Sequence, residues 1–199
     1  DDVKTIIEEK ISAVADKYNF IIYEPSISYK AIPKKPPQIN VSALVLLDIR
    51  MNLKRFNSIR LQKTGYLLNL FMEEEYFKFD KWKYGPYSHS IDIVANKIKE
   101  YQEYYALDNS NVTFEHLYQI ICSKKVDAKF SQLHVAVEKA TDYVNEIKSD
   151  KMLEGITTIL YLIQNEMPHN KEQLIDSFNN WSQDKAARFS DEYIASCIG

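Results

Sequence analysis

The feature that most constrains this chain lies between Ile59 and Tyr105. There an apolar helical run, a short alternating stretch and a second amphipathic run follow one another closely. In the last of these, Ile91, Val94, Ile98, Tyr101 and Tyr105 recur at intervals of 3, 4, 3 and 4, the signature of one helical face. Between the two helices, Phe77, Phe79 and Lys81 alternate with Lys78, Asp80 and Trp82, which predicts a strand. Gly85-Pro86 is expected to end that strand, since proline offers no N–H to a ladder. Tyr84 and Tyr87 flank this stiff turn, placed either to be displayed or to seal a core.

Around that unit the periodicity predicts a mostly helical α+β fold: helices about a small antiparallel sheet or hairpin, followed by a C-terminal three-helix subdomain. Asp2–Tyr18 reads as an amphipathic helix and residues 20–24 as a short strand stopping at Pro25. One helix and one strand without sheet partners suit the tail of a preceding domain, residues 1–24. The start at Asp1-Asp2 rather than Met suggests a piece of a longer protein. Residues 25–38 hold four of the six prolines and read as an extended linker. A helix–hairpin–helix body spans 39–148, and the helical subdomain spans 149–199.

Within the body, Val41, Leu44, Val45, Leu47 and Met51 predict one helix. Leu61, Leu68 and Met72 predict the next, capped by Asn57 or Ser58. Gly65 inside that helix costs about 1 kcal/mol against alanine, so a neighbouring element should approach closely there. Val112–Cys122 mixes periods and fits a strand or a short helix, the strand being favoured; residues 124–130 read as a loop, and Leu133, Val137, Ala140, Val144 and Ile147 as a helix. Asp150 is expected to cap a helix with Leu153, Ile156, Ile159, Leu160 and Ile163 on its apolar side, broken by Pro168. Asn170 and Ser190 should open two more.

Several function classes lack their residues. With four glycines, no phosphate-cradling loop can be written. The four histidines stand apart from one another and from cysteine at metal-ligand spacing, so no metal or other cofactor is expected. His89 between Ser88 and Ser90 is read as a helix-capping region rather than a catalytic one, and no enzyme activity is predicted. Cys122 and Cys197 read as buried thiols of a reducing, cytoplasmic compartment. No apolar run approaches the roughly 20 residues that span a bilayer. Residues 1–37 balance six acids against six lysines, so the whole net charge of −3 falls on the remainder. That is not the field of a nucleic-acid binder, and the last helix carries Asp191 and Glu192 with no base.

Three stretches, in order, resemble the DarG antitoxin family of toxin–antitoxin systems. Leu61-Gln62-Lys63, Tyr66-Leu67-Leu68, the Lys83-Tyr84-Gly85-Pro86-Tyr87 turn and a helix ending at Tyr104-Tyr105 look like its C-terminal domain. Trp181-Ser182, Asp184-Lys185, Phe189 and the final helix resemble its C-terminal segment, and residues 3–25 the last helix and strand of its macrodomain. The helix-and-turn pattern is shared by SocA/Panacea-like antitoxin domains, which pair with other toxins. The resemblance implies a domain that neutralises a DNA ADP-ribosyltransferase toxin of the DarT kind by occluding its single-stranded DNA cleft. Any ADP-ribosyl hydrolase chemistry would then belong to the rest of the macrodomain. A surface mimicking DNA would offer carboxylates for phosphates and rings for bases. The expected partner-binding residues are thus Glu73, Glu74, Glu75, Asp80, Trp82, Tyr84 and Tyr87. Phe77, Phe79, Tyr101 and Tyr105 are expected in the core.

Overall fold

The computed structural model describes residues 35–198. The helix and strand expected within residues 1–24, and the linker up to residue 34, lie outside the described residues. Helix α1 (Val41–Asn52) is the element on which the others pack. Every residue from Ala43 to Ile49 is buried, and α1 touches four other helices, as a helix apolar all round must. Its one buried charge, Asp48, accepts from His134 Nδ1 at 2.7 Å and from Asn52 Nδ2 at 2.8 Å. Around it run α2 (Ser58–Met72), α3 (His89–Tyr105), α4 (Ser110–Ile121) and α5 (Lys124–Glu146). Strands β1 (Asp80–Trp82) and β2 (Gly85–Tyr87) form an antiparallel hairpin between α2 and α3. Helices α6 (Asp150–Glu166), α7 (Lys171–Asn179), α8 (Gln183–Arg188) and α9 (Asp191–Ile198) complete the chain. The fold is mostly helical α+β.

Short polar caps set the helix starts. Asn40, Asn57, Asn109, Ser123, Ser149, Asn170 and Ser182 each accept an orphan first-turn amide. Ser149, one residue earlier than expected, caps α6 rather than Asp150. Gly65 meets its expected neighbours: a Cβ there would lie 2.5 Å from Ile91 Cδ1 and 3.7 Å from both Phe77 and Phe79. Phe77 and Tyr101 are buried, with Phe79 and Tyr105 packed against the same core.

Other expectations are corrected. The stretch whose sequence favours a strand over a short helix is helix α4, because Thr113 and Leu117 sit four apart on one buried face. Residues 124–130 are the opening turns of α5, mostly exposed, which explains their polar look. Gly85-Pro86 does not end the strand region: it begins β2, opposite Trp82 and Lys81. Phe77 and Phe79 precede β1 in an irregular segment held by Asn69, whose side chain bonds the amides of Tyr76 and Phe77 and the carbonyl of Phe77. Ser88 precedes α3 without capping it through its hydroxyl, which meets Ser90 Oγ at 2.7 Å. Cys122 is exposed and Cys197 half-buried. Ile163 is exposed, the buried side of α6 turning through Thr158, Ile159 and Leu162 instead.

The apolar interior has two parts. The larger surrounds α1. The smaller gathers Ile159, Leu162, Leu174, Phe178, Trp181, Phe189 and Ile194. Helix α6 serves both, with Leu153 in the first and Ile159 in the second.

Candidate functional site

The hairpin turns on Lys83 and Tyr84 and is anchored on both sides. Gly85 has φ +90°, which a side chain resists, and a Cβ there would lie 2.7 Å from Thr158 Oγ1 and 3.1 Å from Lys63 Nζ. Lys63 Nζ donates to Pro86 O at 2.7 Å, and Trp181 Nε1 donates to Trp82 O at 2.8 Å. Gln62 brackets the exit, accepting from Ser88 N at 2.9 Å and donating to Ser88 O at 3.0 Å. Arg188 lies over the Tyr84 ring, 5.2 Å from its centroid.

Beneath the hairpin sits a buried ionic cluster that the sequence reading missed. Glu154 accepts from Lys185 Nζ at 2.6 Å and from Arg188 at 2.7 and 3.0 Å; Glu154 and Lys185 are almost fully buried. Burial opposes both charges. For Glu154 the bonds from Arg188 and Lys185 prevail and hold its carboxyl below the usual range, while for Lys185 burial prevails and lowers it. Lys63, with only a carbonyl as partner, is pushed down to about 7 by burial and then by the charge of Lys185. The only prior signal was a lysine amid the apolar residues of α2. Its partners are remote in sequence, so no spacing rule finds them.

What the hairpin displays is aromatic. Trp82 is 60% exposed and Tyr84 44%. Trp82 stacks on Tyr87, centroids 5.7 Å apart. The Tyr87 hydroxyl donates to Asp92, which raises its pKa, and burial adds to the rise. A cleft of about 310 Å³ opens beside the three rings, lined also by Ile59, Gln62 and Lys63.

The expected site residues fall into two groups. Glu73, Glu74 and Glu75 are exposed just past the C-terminus of α2, beside a separate cleft of about 530 Å³ walled by Tyr66, Phe79 and Tyr161. Asp80 is exposed at the start of β1, near enough to raise the Tyr161 pKa after burial has done so. The aromatic corner lies instead by Gln62 and Lys63. Eleven residues of helix separate Gln62 from Glu73, roughly 16 Å of axis. The structure therefore brings Trp82, Tyr84 and Tyr87 together and puts the three glutamates at the other end of α2. Lys81 and Lys83 are exposed beside Trp82, and Lys83 lies 3.7 Å from the Asp184 carboxylate.

His89 is exposed, and no hydrogen bond joins it to Ser88 or Ser90 among the described residues. Among the described residues no cluster of His, Cys, Asp and Glu could hold a metal, and no helix is long and apolar enough to cross a membrane. No family model, curated protein or solved structure matches the chain.

Proposed function

We propose that this chain is a cytoplasmic antitoxin domain of the DarG kind, which binds a DarT-like ADP-ribosyltransferase and closes its single-stranded DNA cleft. The observation that carries this reading is a rigidly anchored hairpin with its largest rings turned to solvent. Burying apolar surface is favourable, so an exposed tryptophan on a hairpin tied down by four hydrogen bonds is placed to anchor a partner at low entropic cost. Tryptophan and tyrosine dominate interface hot spots for the same reason. Glu73, Glu74 and Glu75 at the far end of α2, with Asp80 at the start of β1, provide the carboxylates that would face a basic cleft.

The test is a titration of the purified toxin. Trp82→Ala should weaken the complex by about 2 kcal/mol, roughly thirtyfold, and Tyr84→Ala by a similar factor. Neither should unfold the protein, since Trp82 is more than half exposed and Tyr84 nearly so. Wild-type affinity in both variants would remove the hairpin from the interface.

One observation favours a second reading, a module for single-stranded nucleic acid: Lys81 and Lys83 flank an exposed ring, a combination that tracks phosphates while stacking bases. That reading requires thymidine oligomers to bind at low salt, with affinity falling steeply as salt rises.

A further inference from the structure

A second cleft, of about 400 Å³, adjoins the one beside the hairpin. Ser58 and Asp92 line both, so the two form one groove across the start of α2. Its far half is aliphatic, floored by Leu46, Leu47, Leu61 and Ile98 and walled by Phe56, which is 43% exposed. Stacking surfaces for bases are absent from that floor, whereas apolar side chains of a protein fit it.

The charges along the groove are unequal. Arg50 and Lys99 are exposed at its far half, and neither makes an ion pair among the described residues; Arg50 lies over Phe56 at 4.8 Å. At the hairpin half, Lys63 is buried and bonded to Pro86 O, so it offers no exposed charge. Asp92 is the carboxylate lining the groove, and both its oxygens are engaged, one by Gln62 Nε2 at 2.8 Å and the other by the Tyr87 hydroxyl. The start of α2, which crosses the middle, is already answered: Asn57 caps it and donates to the Asp150 carboxylate at 2.7 Å. Positive charge thus goes unanswered at the far half, where Arg50 and Lys99 stand exposed beside an apolar floor.

We propose that this groove is a second docking surface, which takes a segment of the same partner carrying carboxylates between apolar side chains. This rests on the antitoxin reading and extends it. The glutamate end of α2 faces the toxin's basic cleft, while the groove grips an acidic, apolar segment elsewhere on the toxin. Opposite charges at the two ends would fix the orientation of the complex and speed its formation.

The experiment measures toxin affinity for wild type, Arg50→Glu, Lys99→Glu and Phe56→Ala, with Lys139→Glu on α5 as a control outside the groove. Circular dichroism checks that each variant folds. Each groove variant should weaken binding about tenfold and the double charge reversal about a hundredfold, with Lys139→Glu unchanged. Arg50→Lys should bind like wild type. Hydrogen exchange on the toxin in the complex should protect a segment holding Asp or Glu between apolar residues. Tight wild-type binding that all the groove variants retain, or protection confined to the toxin's basic cleft, would overturn the groove and leave the antitoxin reading intact. If wild type forms no complex, both fail together. Thymidine oligomers that bind wild type and not the double reversal would make the groove a nucleic-acid site and overturn the proposal.

Discussion

Lys63 shows how one side chain couples stability to geometry here. Its ammonium is almost fully buried, donates to one carbonyl, and loses its proton near pH 7 rather than near 10.5, burial being the main cause. Between those values the unfolded chain binds the proton and the folded protein does not, so stability must rise with pH through that window. Below about pH 7 both states are protonated and the contribution is flat. The slope is at most about 1.4 kcal/mol per pH unit. Replacing Lys63 with methionine removes the titration and keeps most of the volume, at the cost of leaving Pro86 O without its donor. Urea unfolding of both proteins from pH 6.5 to 9.5 should therefore show wild type gaining on Lys63→Met as pH rises. Titrating groups remote from Lys63 cancel in that difference, and a flat difference would mean that the lysine is more hydrated than its surroundings imply. The sequence marked this residue only as a lysine among apolar neighbours, because Gly85 and the charge of Lys185 reach it from other elements.

At the scale of elements, the α2–α3 contact is set by a missing methyl group. Alanine at position 65 gains about 1 kcal/mol of helix propensity, but its Cβ would stand 2.5 Å from Ile91 Cδ1, so the tip of this fully buried side chain would have to shift. Gly65→Ala should consequently destabilise by about 1–3 kcal/mol. Ile91→Val deletes the offending carbon at a cost of about 1 kcal/mol, and in that background the alanine should be neutral or stabilising. A double-mutant cycle in urea then yields a coupling of about 1–2 kcal/mol, and additive effects would show that the helices are not in close contact at this point. This approach was legible in advance, as were the helices with regular 3–4 spacing, because a buried stripe leaves a periodic record. Helix α4 was not: Thr113 and Phe114 are common in strands, and only burial against α1 decides between the two. Strand β2 was hidden for a related reason. A Gly-Pro pair reads as an ending, yet Pro86 needs no ladder N–H at this two-stranded edge, and its carbonyl is held by Lys63 instead. Of the candidate site, the residue types could be read and their grouping could not. Adjacency in sequence joined Glu73–Glu75 to the aromatic corner, and the length of α2 parts them.

For the molecule as a whole, the question is whether the C-terminal helices fold as a unit apart. The smaller apolar cluster has a core of its own, and a boundary near residue 149 follows the sequence pattern. Two features oppose independence. Helix α6 contributes Leu153 to the main core and Ile159 and Leu162 to the smaller one, so neither core closes without it. The ionic cluster also crosses the junction: Glu154 on α6 is nearly fully buried, and its partners Lys185 and Arg188 come from α8. Melting α7–α9 alone would strand that carboxylate, and removing the partner of a buried charge typically costs about 3–5 kcal/mol. The same event would free Trp181 from Trp82 O and release one side of the hairpin. Residues 35–198 should therefore unfold in one cooperative step. The chain provides a direct check, since its two tryptophans, Trp82 and Trp181, both sit at this junction, whereas far-ultraviolet circular dichroism is dominated by the long helices around α1. In urea, fluorescence and circular dichroism should give coincident transitions with the same midpoint. A fluorescence midpoint at lower urea would show the C-terminal helices leaving first. The hairpin would then be only as rigid as the weaker part, and its aromatic face would have to be ordered by the partner, at an entropic cost that would appear as reduced affinity.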